Sequence, residues 1–217
     1  MKKTQLDYGE VFENEHVSVF FGNSKSADSL LEKNIAFGHQ IHKADLIEIK
    51  SELFGSSCLI QDSDGLLTNK KNLYLGIYTA DCIPCFIFND NQLFSLHLGW
   101  RSLQLGLFEK ALNSLSKSKE TTVFIGPHIK APSFEVGPDV VEAFAPQLKN
   151  FPESEWVEKI ALDKYKVSLT RVLEFKARSF KPTIFRSEID TFTSSSYCSY
   201  RRQNGGKDRN ISFAFLK

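Results

Sequence analysis

Cys82 and His97 are the side chains with the most chemistry open to them. They stand near the ends of YTADCIPCFIFNDNQLFSLHLGWR, residues 78–101, where two apolar runs (83–88 and 93–96) flank the turn-forming Asn89-Asp90-Asn91. Such runs joined by such a turn predict a β-hairpin. A hairpin brings its outer ends together, so a soft thiolate and an imidazole are expected side by side at the mouth of a sheet. Two chemistries follow. With a second histidine the pair becomes a His2Cys metal set, which leaves the fourth position of a tetrahedral zinc open, as catalytic sites require. Without a metal it is a cysteine nucleophile activated by a histidine. The third ligand would come from Gly38-His39-Gln40-Ile41-His42, a polar, glycine-led loop in which His39 and His42 both qualify. Cys85 is set aside: three residues from Cys82 in extended chain, it points to the opposite face and reads as a small buried apolar residue.

A second cluster is basic. Tyr200-Arg201-Arg202-Gln203-Asn204-Gly205-Gly206-Lys207-Asp208-Arg209 sets paired arginines before a Gly-Gly turn, with two more cations beyond it. That pattern suits an anion held by forked donors and exposed backbone N–H groups. Gly99-Trp100-Arg101 is similar in kind, with Trp100 offering a flat face for stacking. Gly126-Pro127-His128-Ile129 and Phe134-Glu135-Val136-Gly137 read as two turns that bring His128 and Glu135 forward as acid–base candidates. Each feature also has a plainer reading: a core cysteine, a hydrogen-bonded strand histidine, a solvated loop, a core tryptophan.

The elements that must position these groups are expected within one domain, residues 1–217, long enough to bury a core. An apolar share of 41% and nineteen Phe fit a globular protein with an aromatic-rich interior. A net charge of +1 gives no reason to expect a nucleic-acid or membrane partner. No run approaches the roughly 18–20 apolar residues of a membrane span. Met1-Lys2-Lys3 is not followed by the apolar stretch of a signal peptide. Four cysteines (58, 82, 85 and 198) make no disulfide framework, and the expected location is cytoplasmic. Beyond the hairpin, strands are predicted at 16–21, 45–49, 73–78, 122–125 and 211–216. Helices are predicted at 27–34, 103–115, 138–148 and 167–180. Interspersed elements around an antiparallel hairpin predict a mixed α+β fold and exclude a doubly wound parallel sheet.

Gln40-Ile41-His42, Thr79-Ala80-Asp81-Cys82-Ile83-Pro84, His97-Leu98-Gly99-Trp100-Arg101, Ile125-Gly126-Pro127-His128-Ile129, Phe134-Glu135-Val136-Gly137 and Ser199-Tyr200-Arg201-Arg202 occur in that order. They resemble the successive motifs of the YfiH family, and the TADC and HxGWR signatures are specific. That family has been called multicopper polyphenol oxidoreductase, laccase-like protein and peptidoglycan editing factor, and is described mainly as purine nucleoside phosphorylase with adenosine deaminase activity. The resemblance implies a single-domain, layered α–β–β–α sandwich with mixed sheets. It also implies a zinc site (copper being the other metal to consider) on the histidine of QxH, the cysteine of TADC and the histidine of HxGWR. These are His42, Cys82 and His97, so the match selects His42 over His39. Four departures accompany it: Ser102 where glycine is usual, Asp190-Thr191 for a Cys-Thr pair, Cys198 for an aromatic, and a short segment before residue 38. None falls on the three proposed ligands.

Within that reading, adenosine, inosine and methylthioadenosine are the expected substrates, with phosphate as co-substrate. Phosphate attacks the ribose anomeric carbon, and deamination calls on a water activated by the metal. Asp81, Cys82 and His97 are the expected catalytic residues, Asp81 as proton shuttle or as partner of a ligand. Gln40, Arg101, Arg201 and Arg202 are expected to contact substrate or phosphate. The rivals are an amidase or hydrolase of cell-wall precursors using zinc or Cys82, a laccase-like copper oxidoreductase, and a non-enzymatic protein whose zinc braces the hairpin. Five histidines in all are too few for a blue-copper centre plus a trinuclear one.

Overall fold

The hairpin forms as the sequence predicts, and the rest of the chain is layered around it. The computed structural model describes residues 1–26, 35–50, 57–116 and 120–217. The chain opens with β1 (Lys2–Leu6), β2 (Gly9–Glu13), β3 (Val17–Gly22), β4 (Ile35–Gly38) and β5 (Leu46–Glu48). Then come β6 (Cys58–Ile60), β7 (Gly65–Thr68), β8 (Tyr74–Thr79) and the hairpin, β9 (Ile83–Asn89) with β10 (Gln92–Leu98). α1 (Trp100–Gln104), α2 (Leu107–Asn113), β11 (Thr121–Ile125), β12 (Glu135–Val136) and α3 (Pro138–Phe144) follow. The chain closes with β13 (Val157–Ala161), β14 (Lys164–Val167), α4 (Leu169–Ala177), β15 (Thr183–Arg186) and β16 (Asn210–Leu216).

Among the described residues these strands make a seven-stranded sheet, β1-β2-β3-β16-β8-β4-β6, and a six-stranded one, β15-β11-β9-β10-β7-β5. A small third sheet has the order β12-β14-β13. Both large sheets mix directions: β9 and β10 are antiparallel, whereas β4–β8 and β5–β7 are parallel. The fold is therefore mixed α+β. Strand periodicity explains the layering. Along β9, Cys85 and Ile87 enter a core shared with the helices, while Phe86 and Phe88 enter a second core between the two large sheets. In that second core Phe12, Val19 and Phe21 of the seven-stranded sheet meet Phe86, Phe88, Leu93 and Phe124 of the six-stranded one. A strand apolar on both faces can be satisfied only in the interior, each large side chain contributing on the order of 2 kcal/mol. No described helix is long and apolar enough to cross a membrane.

The helices differ from expectation in instructive ways. The predicted helix 103–115 is two, because Gly106 turns left-handed (φ 85°) between α1 and α2. Leu103, Leu107, Phe108, Ala111 and Leu112 still face one core, which is why the periodicity ran through the break. The helix predicted to reach 148 stops at Phe144, since Pro146 breaks the α pattern and Ala145–Gln147 tightens to a 3-10 turn. The helix predicted from 167 starts at Leu169: Val167 is still paired in β14, and Ser168 caps the helix by accepting the Arg171 N–H. The helix predicted at 27–34 lies outside the described residues.

Candidate metal centre and its cavity

Register places the two hairpin residues. His97 pairs with Pro84 across β10 and β9, which sets Cys82, just before β9, beside the His97 ring. The residue that fixes the rest is Asp64, immediately before β7, with no exposed side-chain surface. Its carboxylate takes the Nδ1 hydrogen of His97 at 2.8 Å. It also accepts three consecutive backbone N–H groups, from Ile41, His42 and Lys43, at 3.1, 3.0 and 2.8 Å. The loop wraps around this buried charge, and His42 sits in the left-handed region (φ 57°) that non-glycine residues rarely adopt. Gln40 supplies a second tie: its side chain donates to the Tyr78 carbonyl at 2.7 Å and accepts the Tyr78 N–H at 2.9 Å. Gln40 also lines the cavity, and both ends of its amide hold β8.

The outcome is that the donor atoms of His42, Cys82 and His97 lie within 4.8 Å of one another. His39 is directed elsewhere, half-exposed and 3.4 Å from Asp62. Gly99 keeps the space open, since a Cβ there would stand 3.0 Å from Cys82 Sγ and 3.3 Å from His42 Nδ1. Desolvation of its ring, then the neighbouring His97, hold His42 below the ordinary imidazole range, which favours a free lone pair. Burial opposes a charge on His97, but the Cys82 sulfur and the Asp64 carboxylate outweigh it and push His97 up to about 9. Two imidazoles and a sulfur converging on one gap form a donor set that fits a metal ion. Cys85, by contrast, is fully buried, and burial pushes its thiol up.

Beside the cluster lies a cavity of about 550 Å³, within the range of small-molecule sites. Trp100, Ile129, Phe134 and Leu169 give it apolar walls, and Arg101, Arg201 and Arg209 give it cations. The Arg101 guanidinium stacks over Trp100, 4.4 Å from the ring, with no hydrogen bond or ion pair among the described residues. Among the described residues Asp81 is the one acid on the wall, and its carboxylate is fully engaged. It accepts the Thr191 hydroxyl at 2.7 Å, the Ser199 hydroxyl at 3.0 Å and the Arg201 N–H at 2.7 Å. The group expected as a proton shuttle is thus occupied in holding residues 191–201.

Three other expectations are corrected. Arg202 does not line the cavity: its guanidinium donates to the carbonyls of Thr191, Phe192 and Ser194 at 2.6–2.9 Å, and also to that of Tyr197. It clamps a loop and is turned away from the cavity. His128 is sealed between the Gly126 carbonyl and the Thr170 hydroxyl, 2.7 Å from each. Burial, then Lys130, push it down to about 3, so it stays neutral and structural. Glu135 is at the surface in an ion pair with Lys164. The departures from the family pattern also fall on supports: Ser102 donates to the His97 carbonyl at 2.8 Å, and the backbone of Cys198 is pinned by the Asn210 amide. Sequence reasoning missed Asp64, because Asp-Gly before a strand reads as turn chemistry. It met Arg209 only as part of a basic run.

Comparison with known proteins follows the geometry. The family described as multi-copper polyphenol oxidoreductase laccase matches residues 6–217. A purine nucleoside phosphorylase of Campylobacter jejuni is 24% identical over 245 residues, covering 100% of both chains. One from Aquifex aeolicus is 32% identical over 108 residues, 46% of this chain and 52% of the relative. The purine nucleoside phosphorylase YfiH of Escherichia coli is 30% identical over 108 residues, 48% of this chain and 43% of that one. The chain thus spans about half the length of these last two relatives. The crystal structure of a Bacillus licheniformis protein named YfiH superposes with a TM-score of 0.84 at 19% identity over 98% of each chain. A Neisseria meningitidis protein does so at 0.82 and 18% identity, over 100% of this chain and 98% of that one. These two share the fold.

Proposed function

The chain belongs to the YfiH family, and from that premise we propose that it is a metal-dependent purine nucleoside phosphorylase that also deaminates adenosine. One observation carries the reading: a single cavity joins the His42–Cys82–His97 donor set, the flat face of Trp100 and the guanidinium of Arg101, which has no hydrogen-bond or ion-pair partner among the described residues. A purine needs a flat apolar wall and phosphate needs forked cationic donors, and few other small substrates call for both. The names of the relatives agree with it. In phosphorolysis a phosphate oxygen bonds to the anomeric carbon as the bond to the purine nitrogen breaks, leaving ribose 1-phosphate and free base. When bound by His42, Cys82 and His97, zinc would supply Lewis acidity and an activated water.

The chain's own residues do the rest. Asp64 accepts a hydrogen bond from the Nδ1–H of His97, which leaves Nε2 to serve as the donor atom for the metal. Trp100, Phe134 and Leu169 exclude water from the base, and arginines on the wall hold the phosphate. Copper in a laccase-like centre is less well supported: His16 is exposed, His39 faces Asp62 and His128 is sealed in the core. The test is to incubate metal-loaded protein with adenosine or inosine, with and without phosphate, and to follow base, ribose 1-phosphate and ammonia. Base should appear only with phosphate, and ammonia from adenosine either way. Neither product at high protein concentration would move the reading to an amidase built on Cys82 and His97. Metal analysis of the same sample separates zinc from copper.

A further inference from the structure

Resting on the phosphorylase reading and narrowing it, we infer that Arg101 and Arg209 together form the anion seat of the cavity, with inorganic phosphate as its ligand, held beside the His42–Cys82–His97 cluster. Four arginines are candidates, and the structure gives them different work. Arg202 is spent on backbone carbonyls of residues 191–197. Arg201 is tied by Nη1 to the Glu135 carbonyl at 2.8 Å and lies over the Phe134 ring, next to the Glu135–Lys164 ion pair. Its charge is therefore placed on the β12 side of the cavity, where a carboxylate already offsets it.

Arg101 and Arg209 also line the cavity, and neither has an ion-pair partner among the described residues. The Arg101 guanidinium stands over the Trp100 ring, and its donor fork has no hydrogen-bond partner among the described residues. Arg209 is anchored by one nitrogen only: Nη1 donates to the Gly206 and Asp208 carbonyls at 2.8 Å each. Its Nε and Nη2 have no partner among the described residues. The chain continues directly from Arg209 into β16, where Asn210 pairs with Thr79, two residues before Asp81. The arginine is thus delivered from a rigid strand end to the same end of the sheet as Cys82. Both guanidiniums line the same cavity as His42, Cys82 and His97. Asp81, the one acid on the wall among the described residues, is consumed by three donors. Two guanidiniums with no ion-pair partner among the described residues, beside the His42–Cys82–His97 cluster, suit a tetrahedral dianion better than a carboxylate or a neutral group.

The experiment uses metal-loaded full-length protein. Phosphate is titrated while tryptophan fluorescence is followed, since Trp100 lines the cavity and Trp156 is buried in the core. In parallel, the KM for phosphate is measured in phosphorolysis of inosine. Wild type should saturate. R101A and R209A should raise both the titration midpoint and the phosphate KM about tenfold or more, with R209K between R209A and wild type. R202K should leave the midpoint within about twofold. A midpoint for R209A within twofold of wild type, or one for R202K shifted as far as R209A, would overturn the inference. AMP is titrated as a second arm, and a response to AMP with none to phosphate would reassign the seat to a phosphoryl group carried on a nucleotide. Saturable, Arg209-dependent phosphate binding without release of base would sink the phosphorylase reading and leave the seat standing. Phosphate-dependent release of base that ignores R209A would do the reverse.

Discussion

Asp64 and Asp81 are both buried carboxylates with every oxygen engaged, yet they organise different parts of the cavity. Asp64 collects its donors locally: three successive backbone N–H groups of one loop and the imidazole of His97. Everything it holds belongs to the His42–Cys82–His97 cluster or to the loop that carries His42. Asp81 reaches more than a hundred residues along the chain, to the hydroxyls of Thr191 and Ser199 and the N–H of Arg201. Everything it holds belongs to the arginine-bearing segment. A nest of backbone donors depends on loop conformation, whereas hydroxyl donors depend on side-chain identity, so the two braces should fail differently.

The harshest test removes what one brace exists to hold. Cys82→Ser should lose most of the bound zinc and most of the activity, read by metal analysis after dialysis. Full zinc occupancy in that variant would leave Asp64 with no cluster to organise, and the comparison would collapse. Asp64→Asn comes next. An amide turns an N–H toward donors that need an acceptor, so zinc affinity by chelator competition should fall about 10–100-fold. The phosphate KM should move much less, and an equal loss in both would show that the two braces are not separable. Asp81→Asn is gentler, because asparagine tolerates the left-handed backbone found there (φ 86°). Zinc affinity should stay within a few-fold, while the phosphate KM rises several-fold and stability falls by about 1–3 kcal/mol, read by denaturant unfolding. A Cys85→Ala control should cost only about 1 kcal/mol of packing, with zinc retained.

The same contrast explains what could be read from the sequence. The hairpin was legible because β9 is apolar on both faces and ends in a strong turn, and its register then placed Cys82 beside His97. Asp81 was legible because it adjoins Cys82 in a recognisable motif. Asp64 was not, because most of its partners are backbone N–H groups, which leave no side-chain pattern to find. For the same reason spacing alone does not choose between His39 and His42, since the choice is made by the nest and the left-handed turn at His42. Arg202 was misread by the converse rule: an arginine in a loop looks free until the loop's own carbonyls are seen to surround it.

β16 occupies the centre of its sheet, between β3 and β8, although its residues are the last of the described strands to be made. During synthesis the two halves of that sheet must wait with their inner edges unpaired until residues 210–216 leave the ribosome. Such edges recruit other chains, so this interval is when newly made protein is most prone to aggregate and to need a chaperone. A nonsense codon before Asn210 would remove the keystone strand and not an ornamental tail. The product should be insoluble, and no added zinc or phosphate should rescue it.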